Sequence, residues 1–352
     1  MRQANLSQCV EAMRKYGLNG LLISNPLNIT YLTGFRQAEG YLLITQDARL
    51  IYFTNFIYEY EARKHKIWTT KVSRGNMFKL IAQETNRCGL TCVGFEAKHL
   101  PFLEEAKIKE YLSDFAIDLV QTIDIVEGIR VVKNRQEIAC IQKSVAVSLQ
   151  AFEFVKEIYD QSTSEKILAS EIEKFLTVQG DGQVAFPTIV ACGKNSALAH
   201  HIPGADRLNS KCFLIDLGAR YCGYCADLTR VFFWDKMPLL FRRVYDVVRK
   251  AQELSIQKIK DGVRARDVDK IARTFIDKKG FGKYFGHGLG HGIGLEVHEA
   301  PFLNAHSETI LKDGMVVTVE PAIYLDGKFG VRIEDVVLVT KNGRKVLSAT
   351  QK

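Results

Sequence analysis

The chain has 352 residues, 47% of them hydrophobic and 25% charged, which suits about two globular domains with sizeable cores. Its formal charge is +8, but the Lys and Arg residues are scattered without a long basic block or an aromatic RNA-reading motif, so no nucleic-acid partner is expected. Eight cysteines over this length do not make a disulfide framework, and with no apolar run approaching the roughly 20 residues of a membrane span, no membrane partner is expected. The opening MRQANLSQCVEAMRKYG has amphipathic helical spacing without the apolar centre of a signal peptide, and the cytoplasm is the expected location. From there to about residue 128 short elements alternate. LNGLLISN, GYLLITQ, ARLIYFT, LTCVGFEA and AIDLVQTID read as strands, and segments near 55–66, 76–87 and 101–113 read as helices. This is an α/β domain with a sheet core.

The junction lies at VEGIRVVKNRQEIACI. Asn134 followed by Glu137 forms a capping-box pattern with Asn at the cap. Behind it Ile138, Ile141, Val145, Leu149 and Phe152 recur at helical spacing. A second helix is expected from Ser162, with Glu165 three residues on. A third runs through Phe241, Val244, Val248 and Ala251. A fourth holds Val268, Ile271, Ala272 and Phe275 and ends near Gly280. CFLIDLGARYCGYCADLTRVFFW, before the third helix, reads as two strands around a turn. VVTVEPAIYLDGKFGVRIEDVVLV, after the fourth, does the same. Helix, helix, hairpin therefore occurs twice, a diverged internal repeat whose halves would pack with pseudo-twofold symmetry. The expected domains are residues 1–128, of α/β class, and residues 129–352, of α+β class.

Each hairpin carries two carboxylates. Asp216 and Asp227 are centred on Tyr221-Cys222, beside Gly223. Glu320 and Glu334 are centred on Gly327, inside an Asp326-Gly327 turn signal. Within each pair the acids are expected to face one another across the ladder, roughly 5 Å apart at the backbone. One acid at a strand end is ordinarily a solvated or capping group, and like charges opposed in a sheet destabilise it. Two such pairs in apolar hairpins, with His291 of GHGLGHGIGLEVHE between them, match a dinuclear metal site. Four carboxylates and one imidazole form an oxygen-rich set that favours Mn²⁺ or Co²⁺, with Zn²⁺ as a lesser candidate because it prefers more nitrogen and sulfur. Cys222-Gly-Tyr-Cys225 has zinc or redox spacing, but it falls in a hairpin turn and not at a helix N-terminus, and free thiols are expected. The glycines at 286, 288, 290, 292 and 294 lack a βαβ context, so they are read as permitting close backbone packing.

The order Asp, Asp, His, Glu, Glu in these contexts resembles the pita-bread metallopeptidases: Xaa-Pro dipeptidase (prolidase), aminopeptidase P, methionine aminopeptidase and the related creatinase. The segments IDLGARYCGYCADLTR, GHGIGLEVHEAP, TVEPAIY and VRIEDVV resemble that family's signature blocks, and GLLISNPLNITYLTGF resembles the creatinase/prolidase N-terminal domain. The resemblance spans nearly the whole chain. It implies a creatinase/prolidase-type domain at 1–128 and a pita-bread catalytic domain at 129–352. The N-terminal domain argues against methionine aminopeptidase, and the complete metal set against creatinase.

The resemblance assigns roles as well. Asp227 and Glu334 would bridge two metal ions, Asp216 would hold one, and His291 and Glu320 the other. Glu320 would also shuttle a proton. His200 of NSALAHH and His298 of EVHE match the histidines that stabilise the tetrahedral intermediate, and Arg332 matches an arginine beside the second bridging Glu. His201 is read as an ordinary loop residue, and His287 as either structural or supportive of the site. The implied protein is a homodimer whose N-terminal domain narrows the entrance to short proline-containing peptides. Three departures stand out: EPG is EPA here at Ala322, a frequent serine is Ala226, and PHG is AHH at 199–201. Dipeptide-specific members often carry an arginine after His-Glu that could grip a free carboxylate, where this chain has Pro301-Phe302-Leu303-Asn304. The expected activity is therefore removal of an N-terminal residue before proline, as in aminopeptidase P. Strict Xaa-Pro dipeptidase action is the alternative, and a non-catalytic binding protein or a creatinase-type C–N hydrolase are the remote ones.

Overall fold

A computed structural model describes residues 2–36, 38–210, 212–233 and 238–349. The chain divides into two compact units, Met1–Arg130 and Val131–Lys352. The first is built on a six-stranded sheet with spatial order β4-β3-β2-β1-β5-β6. Its strands are β1 (Gly20–Ile23), β2 (Tyr41–Thr45), β3 (Leu50–Asn55), β4 (Thr69–Ser73), β5 (Cys92–Glu96) and β6 (Asp118–Thr122). The helices are α1 (Arg2–Lys15), α2 (Pro26–Thr33), α3 (Glu59–Lys64), α4 (Met77–Arg87), α5 (Phe102–Ser113) and α6 (Ile125–Arg130). The segments expected as strands become β1, β2, β3, β5 and β6. The edge strand β4 carries TTKVS, too polar to stand out, and it pairs in parallel with β3. Helix α2 starts at Pro26 behind the cap Asn25, whose side chain accepts from Leu27 N, and stops at Gly34 with φ of 78°.

The second unit repeats one pattern. In the first half α7 (Arg135–Ile158) and α8 (Glu165–Gln179) pack on the sheet β11-β8-β7, formed by β7 (Ile189–Cys192), β8 (Cys212–Leu217) and β11 (Leu228–Phe233). A short ribbon, β9 (Arg220–Tyr221) with β10 (Tyr224–Cys225), tips the β8–β11 hairpin. In the second half α9 (Leu239–Lys258) and α10 (Ala265–Lys278) pack on the five-stranded sheet β13-β12-β14-β17-β18. Its strands are β12 (Gly290–Gly292), β13 (Glu299–Leu303), β14 (Val316–Val319), β17 (Asp335–Thr340) and β18 (Gly343–Val346), and a ribbon of β15 (Ala322–Leu325) with β16 (Phe329–Arg332) tips the β14–β17 hairpin. Each half thus has its own apolar core between a helix pair and a sheet.

The capping box at Asn134 and Glu137 is formed, with Asn134 Oδ1 accepting from the Gln136 and Glu137 amides and Glu137 Oε2 accepting from Asn134 N. The second helix begins two residues later than expected. Ser164, not Ser162, is its cap, and Ser162 instead donates to Asp160. The stripe of α10 is also rotated: Val268, Ala272 and Ile276 are buried, whereas Ile271 is only half-buried. Helix α7 has the length and mean hydropathy of a membrane-spanning helix, but Lys143 and Glu153 interrupt it, so it holds no continuous apolar run of that length. Its apolar residues Ile141, Val145, Ala151, Phe152 and Val155 form part of the core behind β8.

Candidate metal centre

The two hairpins position the five expected ligands in different ways. In the first, Asp216 pairs with Thr229, and Leu217 with Leu228. Asp227, the expected partner of Asp216, therefore lies just past the end of the ladder, two positions short of the observed partner Thr229. The cause is the turn, which sits at Cys222 and Gly223 with φ of 54° and 83°. Positive φ at both central residues belongs to the hairpin turn that matches strand twist, and it moves the centre of the hairpin by one residue. In the second hairpin Val319 pairs with Asp335 and Ala322 with Arg332, so Glu320 and Glu334 share a register position in a gap between two ladders. The gap is sealed from outside. Glu320 N donates to Leu289 O, Glu334 N to Thr229 O, and the buried Gln252 amide of α9 donates to Val319 O at 3.2 Å and Ile333 O at 3.1 Å.

Oxygen and nitrogen atoms of these side chains converge. Asp216, Asp227 and Glu334 form one group and His291, Glu320 and Glu334 another, the ligating atoms of each lying within 4.8 Å of one another. A third group joins Asp227, His291 and His298. Glu334 belongs to both carboxylate groups, and Asp227 also reaches His291, so these two stand between the centres. His291 comes in on β12. Its Nδ1 lies 3.1 Å from Gly292 O, which fixes the ring and leaves Nε2 facing Glu320 Oε1 at 3.3 Å and Asp227 Oδ2 at 3.6 Å. A Cβ on Gly290 would meet Thr318 O and one on Gly292 would meet Ala300 O, so side chains on either side of His291 would force its strand off the neighbours. Gly286, by contrast, faces open space.

Arg332 organises the acids. Its Nη2 donates to Asp216 Oδ2 at 2.6 Å, its Nε to Thr229 Oγ1 at 2.9 Å, and Thr229 Oγ1 donates to Glu334 Oε2 at 2.7 Å. Its Nη1 donates to Tyr324 Oη at 2.6 Å, and that hydroxyl lies 3.3 Å from His287 Nε2. One guanidinium cannot balance four acids. Burial, then repulsion from Glu334, Asp216 and Glu320, pushes Asp227 well above the usual carboxylate range, and burial with repulsion from Glu320 and Asp216 does the same to Glu334. Asp216 is raised too, by burial, against the pull of Arg332. Glu320 is only partly buried, and against its desolvation the hydrogen bond and charge of His291, with the charges of His287 and Arg332, lower it. Asp216 Oδ1 and Glu334 Oε1 are buried without a hydrogen-bond partner among the described residues. Unsatisfied buried carboxylate oxygens are costly, and these two point among the ligand groups. This donor set fits divalent cations: it is oxygen-rich, carries excess negative charge, and leaves lone pairs that nothing else takes up.

The five ligands open into a cleft of about 320 Å³ whose lining also includes His200, His287, His298, Phe302 and Tyr324. His298 packs against His291 with ring centroids 4.3 Å apart and the rings tilted by 58°, and desolvation followed by the nearby His291 lowers its pKa. The adjacent Glu299 is held by the buried Lys133 at 2.6 Å, which anchors the His298 loop. His201 is not in the cleft lining; it turns to Glu165 at 2.7 Å. His287 lines the cleft and contacts Tyr324, so it supports the site. All eight cysteines are free, and burial pushes the Cys225 thiol to about 12. Gln252, Thr229 and Lys133 act on partners more than 80 positions away, which sequence does not show; Thr229 of DLTR and Tyr324 of TVEPAIY lie in segments already singled out, but neither side chain carries a signal of its own.

The model of metallopeptidase family M24 matches residues 139–341, and that of the creatinase/prolidase N-terminal domain matches residues 6–132. An Xaa-Pro dipeptidase of Pyrococcus horikoshii is 34% identical over 351 residues, covering 99% of this chain and 97% of its own. A solved Xaa-Pro dipeptidase from Bacillus anthracis superposes with a TM-score of 0.94 at 32% identity, covering 100% of this chain and 99% of the other. An X-Pro aminopeptidase from Thermotoga maritima superposes with a TM-score of 0.88 at 31% identity, covering 97% and 98%.

Proposed function

The chain belongs to metallopeptidase family M24, with a creatinase/prolidase N-terminal domain ahead of a pita-bread domain, and from that premise we propose that it hydrolyses the bond between an N-terminal residue and proline in short peptides. The observation that carries this reading is the convergence of Asp216, Asp227, His291, Glu320 and Glu334 in one cleft with orphaned carboxylate oxygens. These five side chains would hold two divalent ions, Mn²⁺ by preference and Co²⁺ or Zn²⁺ as alternatives. When bound, the ions would supply an acidified water and polarise the scissile carbonyl.

The chain's own residues do the rest. Arg332 and Thr229 hold Asp216 and Glu334 in place. Glu320 is the most accessible of the four acids, its side chain 16% exposed, and it takes a proton from the attacking water and passes it to the departing proline nitrogen. His200 and His298, which line the cleft, donate to the carbonyl oxygen as it gains charge.

A dipeptide would also need a partner for its free carboxylate. The cation in the cleft lining, Arg332, spends its donors on Asp216, Thr229, Tyr324 and Ala199, and Phe302 occupies the lining beyond His298. This favours aminopeptidase P-like cleavage of peptides that continue past proline. The second reading, strict Xaa-Pro dipeptidase action, is favoured by the full-length relatives of that name. We further propose a cytoplasmic homodimer, with the catalytic domain over residues 129–352 and the N-terminal domain over 1–128. The test is hydrolysis of Ala-Pro and Ala-Pro-Ala side by side by the protein loaded with Mn²⁺, Co²⁺ or Zn²⁺. Cleavage of the tripeptide supports the aminopeptidase reading, cleavage of the dipeptide alone establishes the second, and cleavage of neither with any of the three metals removes the Xaa-Pro assignment.

A further inference from the structure

His200 lies in the connection between β7 and β8, and both of its neighbours are tied down. On one side Ala199 O accepts from Arg332 Nη1 at 3.3 Å, and Ser196 Oγ accepts from Gly330 N at 2.9 Å. On the other, His201 Nε2 sits 2.7 Å from Glu165 Oε2, with the two side chains 12% and 0% exposed. Glu165 is the first residue of α8, and both of its oxygens serve this connection. Oε1 accepts from Cys192 N at 2.7 Å and Asn195 Nδ2 at 3.0 Å, and Oε2 also accepts from Gly204 N at 3.1 Å. Backbone bonds run alongside, from Glu165 N to Asp206 O and from Lys166 N to Gly204 O. A fully buried carboxylate is tolerated only when its lone pairs are taken up, and here four donors from one connecting segment take them up.

We propose that Glu165 and His201 are positioning residues that set the orientation of His200 in the cleft. The proposal rests on the peptidase reading above. With Ala199 held by Arg332 and His201 held by Glu165, the peptide units on either side of His200 are fixed, so its imidazole is left with side-chain torsions alone. The second histidine of AHH, which contributes nothing to the cleft lining, is thus the link between a buried helix terminus and a cleft residue.

The experiment uses the full-length, Mn²⁺-loaded protein and a double-mutant cycle on Ala-Pro-Ala or Ala-Pro, whichever the wild type cleaves. His201→Ala is expected to lower kcat about ten-fold with KM within about two-fold, because a small displacement of a reacting group costs rate more than binding. His201→Gln, whose amide can still donate to Glu165, is expected to recover most of that loss. In a His200→Ala background, His201→Ala is expected to cost nothing further. The proposal is overturned if His201→Ala leaves kcat unchanged, if it costs the same factor with and without His200, or if His201→Gln recovers nothing. An arm independent of turnover follows amide exchange at Cys192 and Gly204, expected to be faster in His201→Ala and restored in His201→Gln; unchanged exchange overturns the latch. Should the wild type cleave neither peptide, the peptidase reading fails, and the exchange arm alone decides whether the latch exists.

Discussion

Asp227 lies within reach of His291 on one side and of Asp216 and Glu334 on the other. Removing its charge should therefore have two opposite effects. Asp227→Asn is expected to lower hydrolysis by more than about a hundred-fold, since even partners behind a metal's ligands cost 10–100-fold, and to raise the melting midpoint of the metal-free protein by relieving repulsion. Steady-state rates with a thermal melt in chelator test both. The same crowding sets a pH dependence. An acid whose pKa is raised on folding contributes stability that is whole below its unfolded value and lost as pH climbs through the folded one. For Asp227 and Glu334 the unfolded values are 3.8 and 4.5, and both are raised well above them. Metal-free protein should accordingly lose stability as pH rises from about 4, while metal binding, which needs the ionised acids, strengthens. Glu320 is lowered and acts in the opposite sense, its contribution present above 4.5 and lost as pH falls. The gap in melting midpoint between metal-loaded and metal-free protein should widen with pH; a constant gap would contradict this. The acids themselves were legible in sequence because each sits in a hairpin segment that is otherwise apolar. Gln252 was not, because nothing in an amphipathic helix marks one glutamine as the seal of a distant ladder gap.

The helical elements and hairpins were legible from periodicity, since a 3.6-residue apolar stripe and a Gly-centred turn are local signals. Register was legible only where the turn was. Asp326-Gly327 fixed the second hairpin, whereas the first turns at Cys222-Gly223, one residue past the midpoint of its acids, so that Asp227 sits beyond the ladder. The polar edge strand β4 and the short helix α2 escaped because neither carries a periodic apolar face. The ladder gap at Glu320 and Glu334 leads to a prediction. Gln252→Leu would leave Val319 O and Ile333 O without their donors, at about 1–3 kcal/mol of stability, and would weaken metal binding because the adjacent acids lose their fixed backbone. Urea unfolding and a Mn²⁺ titration measure the two losses, and stability unchanged from wild type would show that the amide does not hold the gap. On β12, Gly292→Ala would press its Cβ against Ala300 O, an overpacking that costs about 1–3 kcal/mol, read as a lowered urea midpoint.

At the scale of the whole molecule, the catalytic unit closes two helix-and-sheet halves around a charge cluster that neither half could neutralise. Cations that bind the folded state and not the unfolded chain shift stability by mass action, so saturating Mn²⁺ should raise the melting midpoint of the wild type and leave Asp227→Asn little changed. The proposed activity, a proline-directed peptidase that fails without metal, makes one measurement decisive. It is the rate of alanine release from Ala-Pro-Ala and Ala-Pro after chelation and then on return of Mn²⁺, for wild type and Asp227→Asn together. The account predicts no release in chelator from either peptide, recovery with Mn²⁺ in the wild type, and none in the variant at any metal concentration. Release that survives chelation, or a variant as active as the wild type, would contradict it.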